Sequence, residues 1–185
     1  MLVRPTRRAV LTLPLAALMA AACSQRPQAP PLTAEAVFQN DDIGLRFLTP
    51  DGWPMQSRAM LPAALLSKPI VVVAFQKGAG EKPAEFKLLA ADVSPQTDLD
   101  RFLSEYQVGT EQWIPVPPTQ MVTINGAEAT RHLQRRMQGK EELRREVTAF
   151  RRGGRVYFFL VVFAASDGAS RDAVRSAVAS VTWTK

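Results

Sequence analysis

The sequence predicts an α+β domain: a central antiparallel β-sheet flanked by helices on both faces. Three observations predict it. Residues 156–165, Val-Tyr-Phe-Phe-Leu-Val-Val-Phe-Ala-Ala, hold no charge and put apolar side chains on both alternating faces, as a strand covered on each side does. Asn125-Gly126 and Gly153-Gly154 are tight-turn pairs between β-prone runs, the mark of antiparallel hairpins. Two amphipathic segments, 98–107 and 170–180, supply apolar stripes at helical spacing that would cover such a sheet.

Taken in order, residues 1–22 read as a signal peptide. Arg4, Arg7 and Arg8 form a basic start, and residues 9–22 carry no charge. That apolar run is shorter than the ~20 residues a spanning helix needs, and Pro14 interrupts it. Arg7-Arg8 admits twin-arginine export beside the general route. Cys23, the only cysteine, directly follows Ala20-Ala21-Ala22. A lone cysteine in an exported chain bonds another chain, stays free or is modified, and this position selects modification. Leu18-Met19-Ala20-Ala21-Ala22-Cys23 resembles the lipobox of bacterial lipoproteins, whose cysteine is diacylated, although Ala20 stands where leucine is usual. Two acyl chains, at about 0.8 kcal/mol per methylene, anchor a protein stably. The expected lipidation site is therefore Cys23, and the expected location is the bacterial envelope, facing the periplasm. Ser24 rather than aspartate after it resembles lipoproteins sent to the outer membrane rather than the inner. Residues 23–33, rich in proline and polar side chains, read as a flexible tether, and the folded domain is expected over 34–185. The leader's three arginines inflate the net charge of +6; residues 23–185 carry 20 basic against 17 acidic side chains, or +3.

Within the domain, residues 34–39 and 44–48 read as short strands around the turn-forming Asn40-Asp41-Asp42. Pro50, Gly52 and Pro54 then break the chain ahead of a loop over 53–66. Residues 70–76 and 86–93 read as partner strands across a Gly/Lys/Pro loop. Asp98 caps a helix running to about 107, with Leu99, Phe102, Leu103 and Tyr106 on one face and Gly109 as its stop. The segment 113–118, Trp-Ile-Pro-Val-Pro-Pro, is not regular helix; it either forms a binding lip or packs Trp113 and Ile114 on the domain. Residues 121–124, 127–137, 143–152 and 156–165 make an antiparallel meander, with Gly139-Lys140 as its middle turn. Ala173, Val174, Ala177, Val178 and Val181 give the closing helix a small apolar face.

The stretch Gly44-Leu45-Arg46-Phe47-Leu48-Thr49-Pro50-Asp51-Gly52-Trp53 resembles the start of PsbP-like domains, glycine-hydrophobic-Phe-x-x-Pro-x-x-Trp. The hairpins, the late aromatic-aliphatic strand and the closing helix continue the likeness over about residues 34–184. The group includes the extrinsic photosystem II protein and bacterial DcrB-like lipoproteins. The resemblance implies an α/β/α sandwich and a binding or assembly role, and it carries no catalytic residue across.

The residues themselves offer little chemistry. His132 is the only histidine and sits mid-strand among Thr130, Arg131 and Gln134, where a partly exposed position is expected; no Gly-x-Ser-x-Gly elbow accompanies it. No paired ligand spacing suggests a metal, and Gly78-Ala79-Gly80 lacks the continuation of a phosphate loop. Asp92, Asp98, Asp100 and Glu105 surround a helix start, where acids offset the macrodipole. The expectation is thus no enzyme activity, no cofactor and no metal.

One feature rises above background. Arg131, Arg135, Arg136, Lys140, Arg144, Arg145, Arg151, Arg152 and Arg155 put nine basic residues in 25, against Glu141, Glu142 and Glu146. They form either a solvated sheet edge with cross-strand ion pairs or a patch, carried by Arg131, Arg135, Arg136, Arg144 and Arg145, that docks on phosphate head groups, lipopolysaccharide or an acidic partner, at about 1 kcal/mol per residue. Export removes nucleic acid as a partner. A second candidate is a pocket beside the 53–66 loop, with Trp53, Met55, Met60 and Leu65 as an adaptable apolar wall. The expected protein is held to a membrane through acylated Cys23 and binds an envelope protein or assists assembly, with a small-molecule or lipid-binding module as the alternative.

Overall fold

The stretch 156–165 forms the central strand of a seven-stranded antiparallel sheet. The computed structural model describes residues 36–62, 65–78, 82–105 and 112–183. The runs read above as signal peptide and tether, with Cys23, and Gly80, Tyr106 and Gly109 lie outside these. Ten strands follow in chain order: β1 (Val37–Asn40), β2 (Leu45–Leu48), β3 (Met55–Arg58), β4 (Ile70–Gln76), β5 (Glu85–Asp92), β6 (Ile114–Ile124), β7 (Ala127–Gln138), β8 (Glu141–Arg152), β9 (Arg155–Ala164) and β10 (Thr182–Trp183). Helix α1 (Leu99–Glu105) separates β5 from β6, and α2 (Gly168–Ala179) separates β9 from β10. The large sheet has the order β3-β4-β5-β9-β8-β7-β6, and β1, β2 and β10 form a small separate sheet. The turn at Asn125-Gly126 and that at Gly153-Gly154 both use two successive positive φ angles, as two-residue hairpins require.

The sheet has two unequal sides. One carries Phe75, Phe86, Phe159, Val161 and Phe150, covered by Val174, Ala177 and Val178 of α2 and by Phe38, Leu45 and Phe47 of the small sheet. Phe47 packs edge-on against Phe75, Phe86 and Phe159 at centroid separations of 6.3, 5.9 and 5.6 Å. The other side carries Leu89, Val147, Ala149, Phe158 and Leu160 beneath Leu99 and Leu103 of α1. The described protein is therefore mostly antiparallel β, richer in strand than a sheet with helices along both faces. The reason is local: the strands 37–40 and 45–48 pair with each other and with Thr182–Trp183 instead of joining the main sheet, and so act as a cover beside α2.

Three ties hold the cover in place. Asp167 caps α2, accepting from the Ser170 amide at 3.1 Å, and pairs with Lys77 at 2.8 Å. Burial alone would raise the Asp167 carboxyl, but Lys77 and Ser170 together hold it down at about 2. The Asn125 amide donates to the carbonyls of Ala179 and Val181, closing the far end of the same helix. Ser180 Oγ accepts from the Leu48 amide at 2.8 Å, joining α2 to the small sheet.

Three elements depart from expectation. Residues 55–58 are a strand, not loop, because their backbone completes the β4 edge. Strand β6 begins at Ile114, within the proline-rich segment; it is an edge strand, where proline costs no ladder hydrogen bond on the outer side. His132 is only 3% exposed. It lies opposite Val147 on the α1 side of the sheet, with Nε2 3.0 Å from Thr130 Oγ1.

Candidate functional site

Alternation along β7 and β8 divides the arginines between two faces. Arg131 lies opposite Thr148, and Arg135 opposite Arg144, on the side where Glu146 meets α2. Arg136 lies opposite Leu143, and Arg145 opposite Gln134, on the α1 side. The five residues do not make one patch.

On the α2 side, Glu146 is 3% exposed and held by two guanidiniums. Arg175 of α2 donates to both carboxylate oxygens, at 2.8 and 2.6 Å, and Arg131 Nε stands 3.5 Å away. The hydrogen bond to Glu146 raises Arg175 above the ordinary arginine value. Arg144 pairs with Glu142 at 3.0 Å. Arg135, exposed and directly across from Arg144, has no carboxylate partner among the described residues. Cross-strand pairing is thus limited to Arg131–Glu146, made on the diagonal: the register sets Arg135 against Arg144, and the other ion pairs here run along β8 or to the helix.

On the α1 side, Arg145 is 3% exposed and has no carboxylate partner among the described residues. Its Nε donates to Gln134 Oε1, its Nη2 donates to the Leu103 carbonyl at 3.4 Å, and its guanidinium lies 4.9 Å from the Trp113 ring centre. Arg136 stacks on the same ring at 4.8 Å. Burial, then the neighbouring Arg136 charge, push Arg145 down to about 10. Trp113 therefore packs on the domain through arginine and does not stand out as a lip.

The hairpin's other end is structural as well. Arg151 donates to the carbonyls of Ser94 and Thr97, and Arg155 grips Asp92 with two nitrogens, holding that carboxyl below its usual value. Arg152 lies 5.1 Å from the Trp183 ring centre. Among the described residues no three His, Cys, Asp or Glu side chains are grouped to hold a metal.

The second candidate is a half-open cleft of about 810 Å³, lined by Leu48, Pro50, Trp53, Pro54, Met55 and Phe75 among others. Of the four residues named for a pocket, Trp53 and Met55 are among its walls. Met60 and Leu65 are not; they are 87% and 81% exposed. The loop is drawn off toward β5, where the Leu66 amide donates to Asp92 and the Asp92 amide to the Leu66 carbonyl, so Leu66 is the buried residue instead. Phe75 and Leu48 come to the cleft from strands that the sequence shows only as core formers.

No family model and no curated protein matches the chain. Solved structures do. The solution structure of cyanobacterial PsbP (CyanoP) from Synechocystis sp. PCC 6803 is similar at a TM-score of 0.58 and 13% identity, over 84% of this chain and 97% of that one. A protein from Bacteroides thetaiotaomicron VPI-5482 is similar at a TM-score of 0.51 and 8% identity, over 83% of this chain and 50% of that one. The fold is PsbP-like.

Proposed function

We propose that this chain is a non-enzymatic accessory protein of the bacterial envelope, lipid-anchored at Cys23, that binds a protein partner or assists its assembly. The observation that carries the reading is the PsbP-like fold, matched along nearly the whole of CyanoP. The arginines support it too: most of them are used to hold strands, helix and aromatic rings together, which leaves surface recognition rather than chemistry. The lipobox-like run ahead of Cys23 supplies the anchor.

Cys23→Ser tests the anchor. The wild type partitions with membranes and its mature first residue carries two acyl chains by intact mass; the variant moves to the soluble fraction. A variant that stays on the membrane overturns the anchor. Recovery of one stoichiometric partner by cross-linking in cells tests the accessory role, and turnover abolished by a single polar substitution would overturn it.

The cleft favours a second reading, an apolar small-molecule or lipid-binding module, because its walls are mainly apolar and open to solvent. Lipid seen on the purified protein by native mass spectrometry, and lost in Met55→Glu, would favour this reading over the first.

A further inference from the structure

We infer that the partner docks on the row Ile114, Arg135 and Arg144, on the α2 side of the sheet, and that it presents an acidic, partly apolar segment of protein there. This rests on the accessory reading above and names its surface.

The register carries the inference. Ile114 of β6 lies opposite Arg135 of β7, and Arg135 opposite Arg144 of β8, so the three share one face in one line across the sheet. Like charges directly opposite on a strand pair are destabilising, and while Arg144 has Glu142, no carboxylate among the described residues pairs with Arg135. Ile114 is 56% exposed beside it, and Met137, on the same face opposite Glu142, is 63% exposed. Apolar side chains left open beside an unpaired guanidinium make the kind of surface that an acidic segment with alternating apolar residues would satisfy, carboxylates on the forks and aliphatic groups on Ile114 and Met137.

Two further observations set how the partner lies and what it is. Beside Ile114, strand addition on β6 is blocked by Pro115, Pro117 and Pro118, which offer no N–H to a new strand, so at the row the partner lies across the face. Around the row, Arg131, Arg135, Arg144 and Arg175 stand against Glu142 and Glu146, a surplus of two charges. A surplus that small holds an anionic membrane weakly. Directional guanidinium–carboxylate pairs suit it better.

The test uses the full chain with Cys23→Ser, and as probes a fluorescent peptide of alternating glutamate and leucine, its glutamine counterpart, and phosphatidylglycerol–phosphatidylcholine vesicles. The glutamate peptide binds and the glutamine peptide does not; Arg135→Glu weakens binding about tenfold or more, whereas Lys68→Glu, the same charge change on a distant exposed loop, alters it by less than about twofold. Equal losses in the two variants, Arg135-dependent binding to vesicles instead of peptide, or self-association lost with Arg135→Glu would each overturn the proposal. In cells, a photo-crosslinking side chain at position 114 yields the partner adduct, and one at position 121 does not, since Met121 is exposed on the opposite face of the same strand. Adducts from position 121 alone overturn this surface and leave the accessory role standing; adducts from neither overturn both.

Discussion

Arg145 and Glu146 are neighbours on β8, equally buried, and held in opposite ways. Glu146 faces α2 between two guanidiniums, with hydrogen bonds as short as 2.6 Å. Arg145 faces α1 with an amide oxygen, a carbonyl and an indole ring, and with no counter-charge among the described residues. The comparison teaches where charge is tolerated. A buried carboxylate survives here because arginines reach it from a strand and a helix, so its cost appears only when they are removed. A buried guanidinium with weaker partners stays charged at neutral pH but less favourably so, burial and the Arg136 charge lowering its pKa to about 10.

Removing both Arg131 and Arg175, as methionines, therefore has the largest effect: it orphans Glu146 and costs about 3–5 kcal/mol in urea unfolding. Adding Glu146→Leu to that variant restores most of the loss; if it does not, the ion pairs are not what holds this side. The second buried carboxylate on the α2 side, Asp167, comes next. Its carboxyl titrates at about 2 when folded against 3.8 ordinarily. A depressed carboxylate contributes stability above the unfolded value and loses it as pH falls through the folded one. Asp167→Asn therefore costs about 2 kcal/mol at neutral pH and flattens the fall in Tm between pH ~4 and ~2. Arg145→Met stays within about 1 kcal/mol of wild type, because an apolar chain fills a site that gives the charge little return. A loss of several kcal/mol would show that stacking on Trp113 and the Leu103 carbonyl outweigh desolvation. The smallest effect belongs to Arg135→Glu, which turns a like-charge pair with Arg144 into an opposite one and gains about 0.2–1 kcal/mol by thermal unfolding.

Much of the sheet was legible in the residues. Strand β9 announces itself by the nine uncharged residues that follow Arg155, and its place at the centre follows from having no polar face. The three hairpin turns and α2 carry direct turn and periodicity cues. The edges were not legible. Met55–Arg58, Ile114–Ile124 in its proline-rich half and Thr182–Trp183 are strands because a neighbour offers hydrogen bonds, a cause invisible in local composition.

The candidate sites were half legible. That Arg131 and Arg135 share a face, as do Arg144 and Glu146, follows from period two, and the register agrees. The burial of Arg145 had a cue: Leu143 and Val147, two residues to either side, share its face and are core. The role of Arg175 had none, since it sits on the polar side of an amphipathic helix and meets Glu146 only through tertiary packing. Met60 and Leu65 read as pocket wall because of their chemistry, whereas the backbone bonds of Leu66 to Asp92 decide where that loop goes. Cys23 lies outside the described residues, and its acylation remains a proposal from the run that precedes it.

The arginines of β7, β8 and α2 divide into those held by partners inside the domain and one row left open for recognition, and a charge-reversal scan measures that division most directly. Arg131, Arg135, Arg145 and Arg175 are each changed to glutamate and read for unfolding free energy and for binding of the glutamate–leucine peptide. The expected result is that Arg135→Glu loses the peptide while keeping or gaining stability, and the other three lose stability first. If Arg135→Glu unfolds as readily as Arg131→Glu, or binds the peptide as wild type does, the division is contradicted.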